Sequence, residues 1–266
     1  MDKTIELVNS IKDIQAMPSV IVKTLNLMKK PTVSMKELGD IVMYDQSLTI
    51  KILALVNSAY YGFSQQISSI TIALSLLGMV KVKNIIVAVA MKPMMSNAGD
   101  KELWKHSIRV AAGCEYLAKL TKIMDSDEAF IAGFIHDVGK IVLHTSNPKM
   151  YTKVVDIMNT TDSVILDVER HYFDSDHVKT GSLLAKRWQL PILLANIISY
   201  HHNPSLSSIP VPCNLVNAVD VLMQENFNPS RMDKDFLKTL GIDIEDLEDL
   251  RKVIMSKADL LIAELT

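Results

Sequence analysis

Three observations predict an all-α fold. Only nine Gly and nine Pro occur in 266 residues, too few to turn an all-β chain every ten residues or so. Apolar residues recur three and four apart along the chain, the spacing of one helix face. Helix-capping signals punctuate the sequence ahead of several of these runs. A hydrophobic share of 48% with 22% charged residues is ordinary globular composition and excludes disorder.

The elements follow in order. Ile5, Val8, Ile11 and Ile14 repeat at helical spacing, and a second helix begins near Pro18 with Ile21, Leu25 and Met28 turned inward. Ser34 and Glu37 have the form of a capping box opening a helix through Val42. Asp45 stands as the N-cap of 46–58. Residues 69–77 form a helix closed by Gly78. The stretch 85–91 is rich in β-branched residues, and we read it as helical because no partner strand is evident. Pro93 and residues 96–100 mark a soft boundary. Helices then run over 101–121, 127–144, 163–172, 176–188, 191–202, 212–227 and 244–264. The organisation expected is an N-terminal helical subdomain, 1–98, and a second helical subdomain, 99–266.

Charge names no partner. The net charge is −2, split as +3 over residues 1–100 and −5 over the rest, so nothing argues for a nucleic-acid or anionic-membrane surface. Lys29, Lys30, Lys81 and Lys83 are too sparse to build one. Cys114 and Cys213 form neither a zinc pattern nor a disulfide framework. The N-terminal residues lack an apolar core of signal-peptide length, which makes a reducing cytoplasm the default. Residues 52–80 carry no charge for 29 positions, but a polar segment, 57–66, divides them into pieces too short for a bilayer. No transmembrane segment is expected.

The chemistry concentrates in one window. All seven histidines lie between His106 and His202. Glu102 and His106, four apart, share a helix face. His136 and Asp137 are adjacent in an HDVGK run, with Lys140 close behind. His177 follows an N-cap, His201 and His202 end a helix together, and Asp220 sits in an otherwise apolar run where an unpaired carboxylate is costly. Imidazoles and carboxylates suit Fe, Mn, Ni, Co or Zn with weak discrimination among them. An adjacent His–Asp pair is useful because the carboxylate can bridge two cations while the imidazole terminates one, the arrangement of two-metal phosphate-ester hydrolysis.

At these residues the chain resembles a known superfamily. His106, then His136 and Asp137, then Asp220 match the ordered signature of the HD-domain metal-dependent phosphohydrolases. HDVGK with His177, His201 and His202 looks like the larger ligand set of the HD-GYP branch, which includes cyclic-di-GMP phosphodiesterases. That likeness implies that Glu102 is an extra ligand of a third metal and that Lys140 contacts the substrate phosphate. The whole chain, over roughly 10–225, is most similar to an HDOD domain. Met17-Pro18, Asp45, Asn57-Ser58, Ile70, Ala73 and Leu77-Gly78 carry the likeness in the first half. His177 with Gly181, Trp188 with Pro191, and His201 with His202 carry it in the second. HDOD domains are all-helical relatives of HD domains, common in bacterial signalling proteins, that have usually lost the metal ligands. This chain keeps them, and it lacks a GYP tripeptide after His202.

Each signal has a plainer explanation to set beside it. Histidines at a helix C-terminus favour the dipole, which accounts for one of His201 and His202; a Glu in a first turn, like Glu102, does the same at the other end. Lys140 can be a solvated surface lysine. His144, His171 and Glu169 match no motif position, and Asn57 with Ser58 reads as polar bonding among the N-terminal helices. The resemblance implies a bacterial cytoplasmic signalling module with an intact HD-type site for one to three divalent transition-metal ions. It would act by binding a signalling partner or a small phosphorylated ligand. The alternative is a metal-dependent phosphohydrolase acting on a nucleotide or cyclic dinucleotide, with Asp137 and Lys140 as its catalytic residues.

Overall fold

A computed structural model describes residues 2–11, 17–28, 33–58, 65–97 and 101–265. Ile14, Lys29, Lys30, Asp100 and the middle of the 57–66 segment lie outside them. The regular structure among the described residues is helical, with no strand. In chain order the helices are α1 (Lys3–Ser10), α2 (Ser19–Met28), α3 (Met35–Met43), α4 (Gln46–Val56), α5 (Ile70–Asn97), α6 (Lys101–Thr121), α7 (Ser126–Ile135), α8 (Val138–Ser146), α9 (Pro148–Thr160), α10 (Ile165–Phe173), α11 (His177–Arg187), α12 (Ile192–Tyr200), α13 (Pro210–Met223), α14 (Lys234–Thr239) and α15 (Leu247–Leu265). No single helix among the described residues is long and apolar enough to cross a membrane.

The chain divides into two compact units. One comprises Met17–Pro93 and Ser256–Thr266. Its helices begin where side chains can satisfy orphan backbone donors. At α3 the Ser34 hydroxyl accepts from Glu37 N–H while the Glu37 carboxylate accepts from Ser34 N–H, a complete capping box. Asp45 caps α4 through Leu48 N–H. Asn57 ends α4, and its amide exchanges hydrogen bonds with the backbone of Ile67 across the polar segment, so the Asn side chain fixes both ends of that loop. Gly78 has φ 78°, ψ 155°, and breaks α5 into two runs. Only a residue without Cβ adopts that backbone cheaply. The 85–91 stretch is helical despite its β-branched residues; Val82, Ile86, Val87 and Ala88 are fully buried, and burial overrides propensity. Leu38, Val42, Ile52 and Leu55 are among the other buried apolar residues of this unit.

The other unit comprises Met1–Ala16 and Met94–Met255. Here α6 packs along α7, α13 lies on both, and α11 packs against α8 and α12. One apolar cluster joins Leu143, Tyr151, Val154, Val168 and Phe173, with Leu7 of α1 packed against it. The buried Thr4 hydroxyl shares a hydrogen bond with that of Ser175 at 2.8 Å, and α1 lies against α8 and α11.

The helix expected over 127–144 is two helices. The chain breaks at His136 and Asp137, the first closing α7 and the second standing at the N-cap of α8. Helix α9 was not anticipated, although Asn147 caps it through Met150 N–H and Pro148 occupies its first turn. Helix α14, capped by Asp233, was also missed, and α13 ends at Met223 rather than near Phe227.

Candidate metal centre

Two close helix approaches assemble the site. A Cβ at Gly133 on α7 would stand 2.9 Å from the Cys114 sulfur and from the Val110 carbonyl of α6, so Gly lets α6 bring His106 beside His136. At Gly139 on α8, a Cβ would lie 1.9 Å from the His177 carbonyl oxygen, so Gly lets α11 bring His177 to Asp137. Helix α13 delivers Asp220, and the end of α12 delivers His201 and His202.

The ligand atoms fall into two groups. His106, His136, Asp137 and Asp220 form one; Asp137, His177, His201 and His202 form the other; within each, the donor atoms lie within 4.8 Å of one another. Asp137 belongs to both and divides its oxygens between them. Its Oδ2 is 3.2 Å from His136 Nε2 and 3.7 Å from His106 Nε2, while its Oδ1 is 3.4 Å from His177 Nε2 and 3.7 Å from His201 Nε2. Asp220 Oδ1 closes the first group at 3.0 Å from His106 Nε2. His202 Nε2 closes the second at 3.0 Å from His177 Nε2.

The donor set fits divalent metal. His106 Nε2, His136 Nε2 and Asp137 Oδ1 are buried atoms that make no hydrogen bond of good geometry, although each faces several charged or polar neighbours. Leaving such atoms unsatisfied is costly unless something else occupies the space they face. Asp137 adds to this. It stands at an N-cap yet its side chain makes no capping bond, being turned into the centre instead. Three rings are anchored from behind through Nδ1, which leaves Nε2 for the centre. His136 bonds the Gly133 carbonyl at 2.7 Å, His201 the Ile197 carbonyl at 3.0 Å, and His177 the Glu169 carboxylate at 2.6 Å. Support behind a ligating imidazole of this kind fixes ring orientation and tautomer.

The electrostatics are those of a compact charged nest. Burial alone would raise Asp137, but His136 and Lys140 hold its carboxyl well below the usual range; Asp220 is held down likewise by His106 and His136. Burial alone would depress His136, yet the two aspartates lift it to about 10. His202 goes the other way, lowered by burial and by His177 to about 3, and His201 is lowered by burial and by its neighbouring imidazoles. Lys140 Nζ lies 2.5 Å from Asp137 Oδ2; burial works against its charge, but Asp137, Asp220 and Glu169 keep it protonated. Cys114, buried and facing Asp220, is pushed far up and stays an inert thiol.

Seven of the residues singled out from sequence as ligands therefore meet in space, with Lys140 beside them. Glu102 does not join them. Its exposed carboxylate pairs with Lys105 at 2.6 Å, and it belongs to neither donor group. His144 is buried edge-on to Tyr151, and His171 is a surface ring against Tyr172. Glu169 is the residue that sequence reasoning passed over. It is fully buried and binds both the ring and the backbone N–H of His177.

The chain has recognisable relatives. It is 28% identical over 204 residues to an uncharacterized protein of Treponema pallidum, an alignment covering 74% of this chain and 39% of that one. The chain thus spans about two fifths of the length of that curated relative. The fold recurs in an HDOD domain protein of Geobacter sulfurreducens at TM-score 0.77 and 22% identity, covering 99% of this chain and 94% of that chain. It recurs also in a candidate metal-dependent phosphohydrolase of Shewanella amazonensis at TM-score 0.59 and 19% identity, covering 97% and 100%. The HDOD domain family model matches residues 14–204, which takes in helices α2 to α5 and six of the seven donors. Over that span, well beyond half of its length, the chain belongs to the HDOD family.

Proposed function

We propose that this HDOD protein carries a two-ion hydrolytic centre acting on a phosphate ester, as part of a bacterial cytoplasmic signalling system. The observation that carries this reading is the sharing of Asp137: one carboxylate offers an oxygen to each of two imidazole-rich donor groups, with Lys140 at its side. Divalent ions held there would supply Lewis acidity and activated water at neutral pH. The mixed imidazole and carboxylate donors suit Fe, Mn, Ni, Co or Zn.

The chain's own residues supply the remaining functions. His106, His136 and Asp220 define one position, and His177, His201 and His202 the other. Backbone carbonyls and Glu169 hold three of the imidazoles in fixed orientation, so little reorganisation accompanies the reaction. Lys140 keeps a permanent positive charge beside the centre, where negative charge grows on a phosphoryl group. His106, His202 and Lys140 are the partly exposed members of the cluster, and a substrate enters on their side. The substrate classes compatible with this chemistry are a phosphomonoester, a nucleotide or a cyclic dinucleotide.

A second reading has its own support. Residues 17–93 form a compact unit without a single histidine, and the GYP tripeptide is missing after His202. Under that reading the centre binds a small phosphorylated ligand, and the chain passes the signal to a protein partner. Hydrolysis of a generic phosphomonoester, a generic phosphodiester and cyclic dinucleotides by the metal-loaded protein separates the two. Turnover that disappears in Asp137→Asn is the expected result. Silence from a metal-replete protein across the whole panel would overturn the hydrolytic reading in favour of the regulatory one.

A further inference from the structure

We infer that Glu169 is a positioning residue that makes the two halves of the centre unequal, strengthening the His177–His201–His202 half through the His177 ring. This inference rests on the metal-centre reading above. Of the three imidazoles whose Nδ1 partners are seen, His136 and His201 donate to neutral backbone carbonyls, whereas His177 donates to a carboxylate. One oxygen, Glu169 Oε2, takes both the ring N–H at 2.6 Å and the backbone N–H of the same residue at 2.8 Å. His177 opens α11, so that backbone N–H is one of the donors a helix leaves without an internal partner. Glu169 thereby shares the start of α11 with the N-cap Asp176, which accepts from Lys179 N–H, and alone sets which way the first ring points.

The chemistry follows from the charge. A carboxylate behind an imidazole raises the electron density at the opposite nitrogen, making it a stronger donor than a ring backed by a carbonyl. Glu169 is fully buried, and its second oxygen, Oε1, makes no hydrogen bond. Burying a carboxylate is expensive, and the cost is met only where opposite charge faces it. Lys140 is one such charge, since its protonated state is supported by Glu169 as well as by the two aspartates. Cations held by the adjoining donor group would be the other. A residue that only filled space at this point would not need a charge.

The test is the metal occupancy of the full-length chain with two substitutions. In Glu169→Gln the side-chain volume and one acceptor survive but the charge is lost; in Glu169→Ala both are lost. Elemental analysis and calorimetric titration with Mn²⁺ or Co²⁺ should find two ions per wild-type chain. Glu169→Ala should lose 10- to 100-fold in affinity for one of them and leave the other unchanged, a loss of the size seen when such supporting groups are removed. Glu169→Gln should shift the visible spectrum of the Co²⁺-loaded protein, which a packing role would leave alone, and Glu169→Asp should restore part of the affinity. Should the alanine variant fail to fold by circular dichroism, the glutamine variant decides alone. Wild-type stoichiometry, affinities and spectrum in Glu169→Gln would overturn this inference and leave the metal centre standing. A wild-type chain that binds fewer than two ions would overturn the two-ion reading itself.

Discussion

Asp137 carries three loads on one side chain. It faces both donor groups, it receives Lys140, and it gives up the capping bond that an aspartate at its position would ordinarily make. The forgone cap costs about 1 kcal/mol, a modest sum beside the charge it brings to the centre. Lys140 touches the same carboxylate without belonging to either donor group, so its removal separates binding from chemistry. Lys140→Ala should keep its full metal content by elemental analysis while turnover falls about 100-fold, the usual loss for one charge-stabilising group. Loss of metal from that variant would mean that the lysine holds the centre together instead. The seven donors were legible because their order along the chain resembles the HD-domain signature and its larger ligand set; residue type alone would have offered His144 and His171 as well. Glu169 was not legible, because its link to His177 depends on the chain reversing through Asp174, whose left-handed backbone at φ 53° gives no signal in composition. Glu102 was conspicuous for its spacing from His106, but a carboxylate that reaches Lys105 and solvent is what a first-turn glutamate does anyway.

Helices show how local and distant forces share the specification. The Ser34–Glu37 capping box was readable from four residues, and the structure contains both of its bonds. Ser34→Ala should therefore cost about 1 kcal/mol of stability in denaturant titration, with no effect on metal content. Helix α6 was likewise predicted with the bounds it has, 101–121. The break between α7 and α8 was not readable because residues 127–144 contain no proline and their two glycines, Gly133 and Gly139, stand three and two residues away from the His136–Asp137 junction. Gly139 is the point where the packing of α8 against α11 is tightest. Gly139→Ala would force the His177 carbonyl away, and we expect a loss of about 3 kcal/mol in a denaturation experiment, the upper end for an overpacked site. Because α11 carries His177, the same variant should also bind less metal. A variant with wild-type stability would show that α8 and α11 separate easily, against the contact described here.

At the scale of the molecule, all seven donors belong to the unit formed by Met1–Ala16 and Met94–Met255. Ions bound there stabilise the folded chain alone, since the unfolded chain scatters the ligands. At free metal one hundred times the dissociation constant the gain is about 2.7 kcal/mol. For a chain of this size that is worth roughly 5–10 °C, so adding a chelator should lower the melting temperature by that amount, and Asp137→Asn should show a smaller drop. An unchanged melting temperature on chelation of a metal-replete sample would argue against ions in the buried centre. The small bond between Thr4 and Ser175 has a temporal consequence. These residues are 171 positions apart in the chain. At about 5–20 residues per second of synthesis, α1 leaves the ribosome roughly 10–30 s before the hydroxyl it binds has been made. For most of that interval Leu7 lacks the cluster of Leu143, Tyr151, Val154, Val168 and Phe173 that it packs against. Helix α1 is thus among the last helices of its unit to gain its full set of contacts, which are complete only once the chain has reached α11.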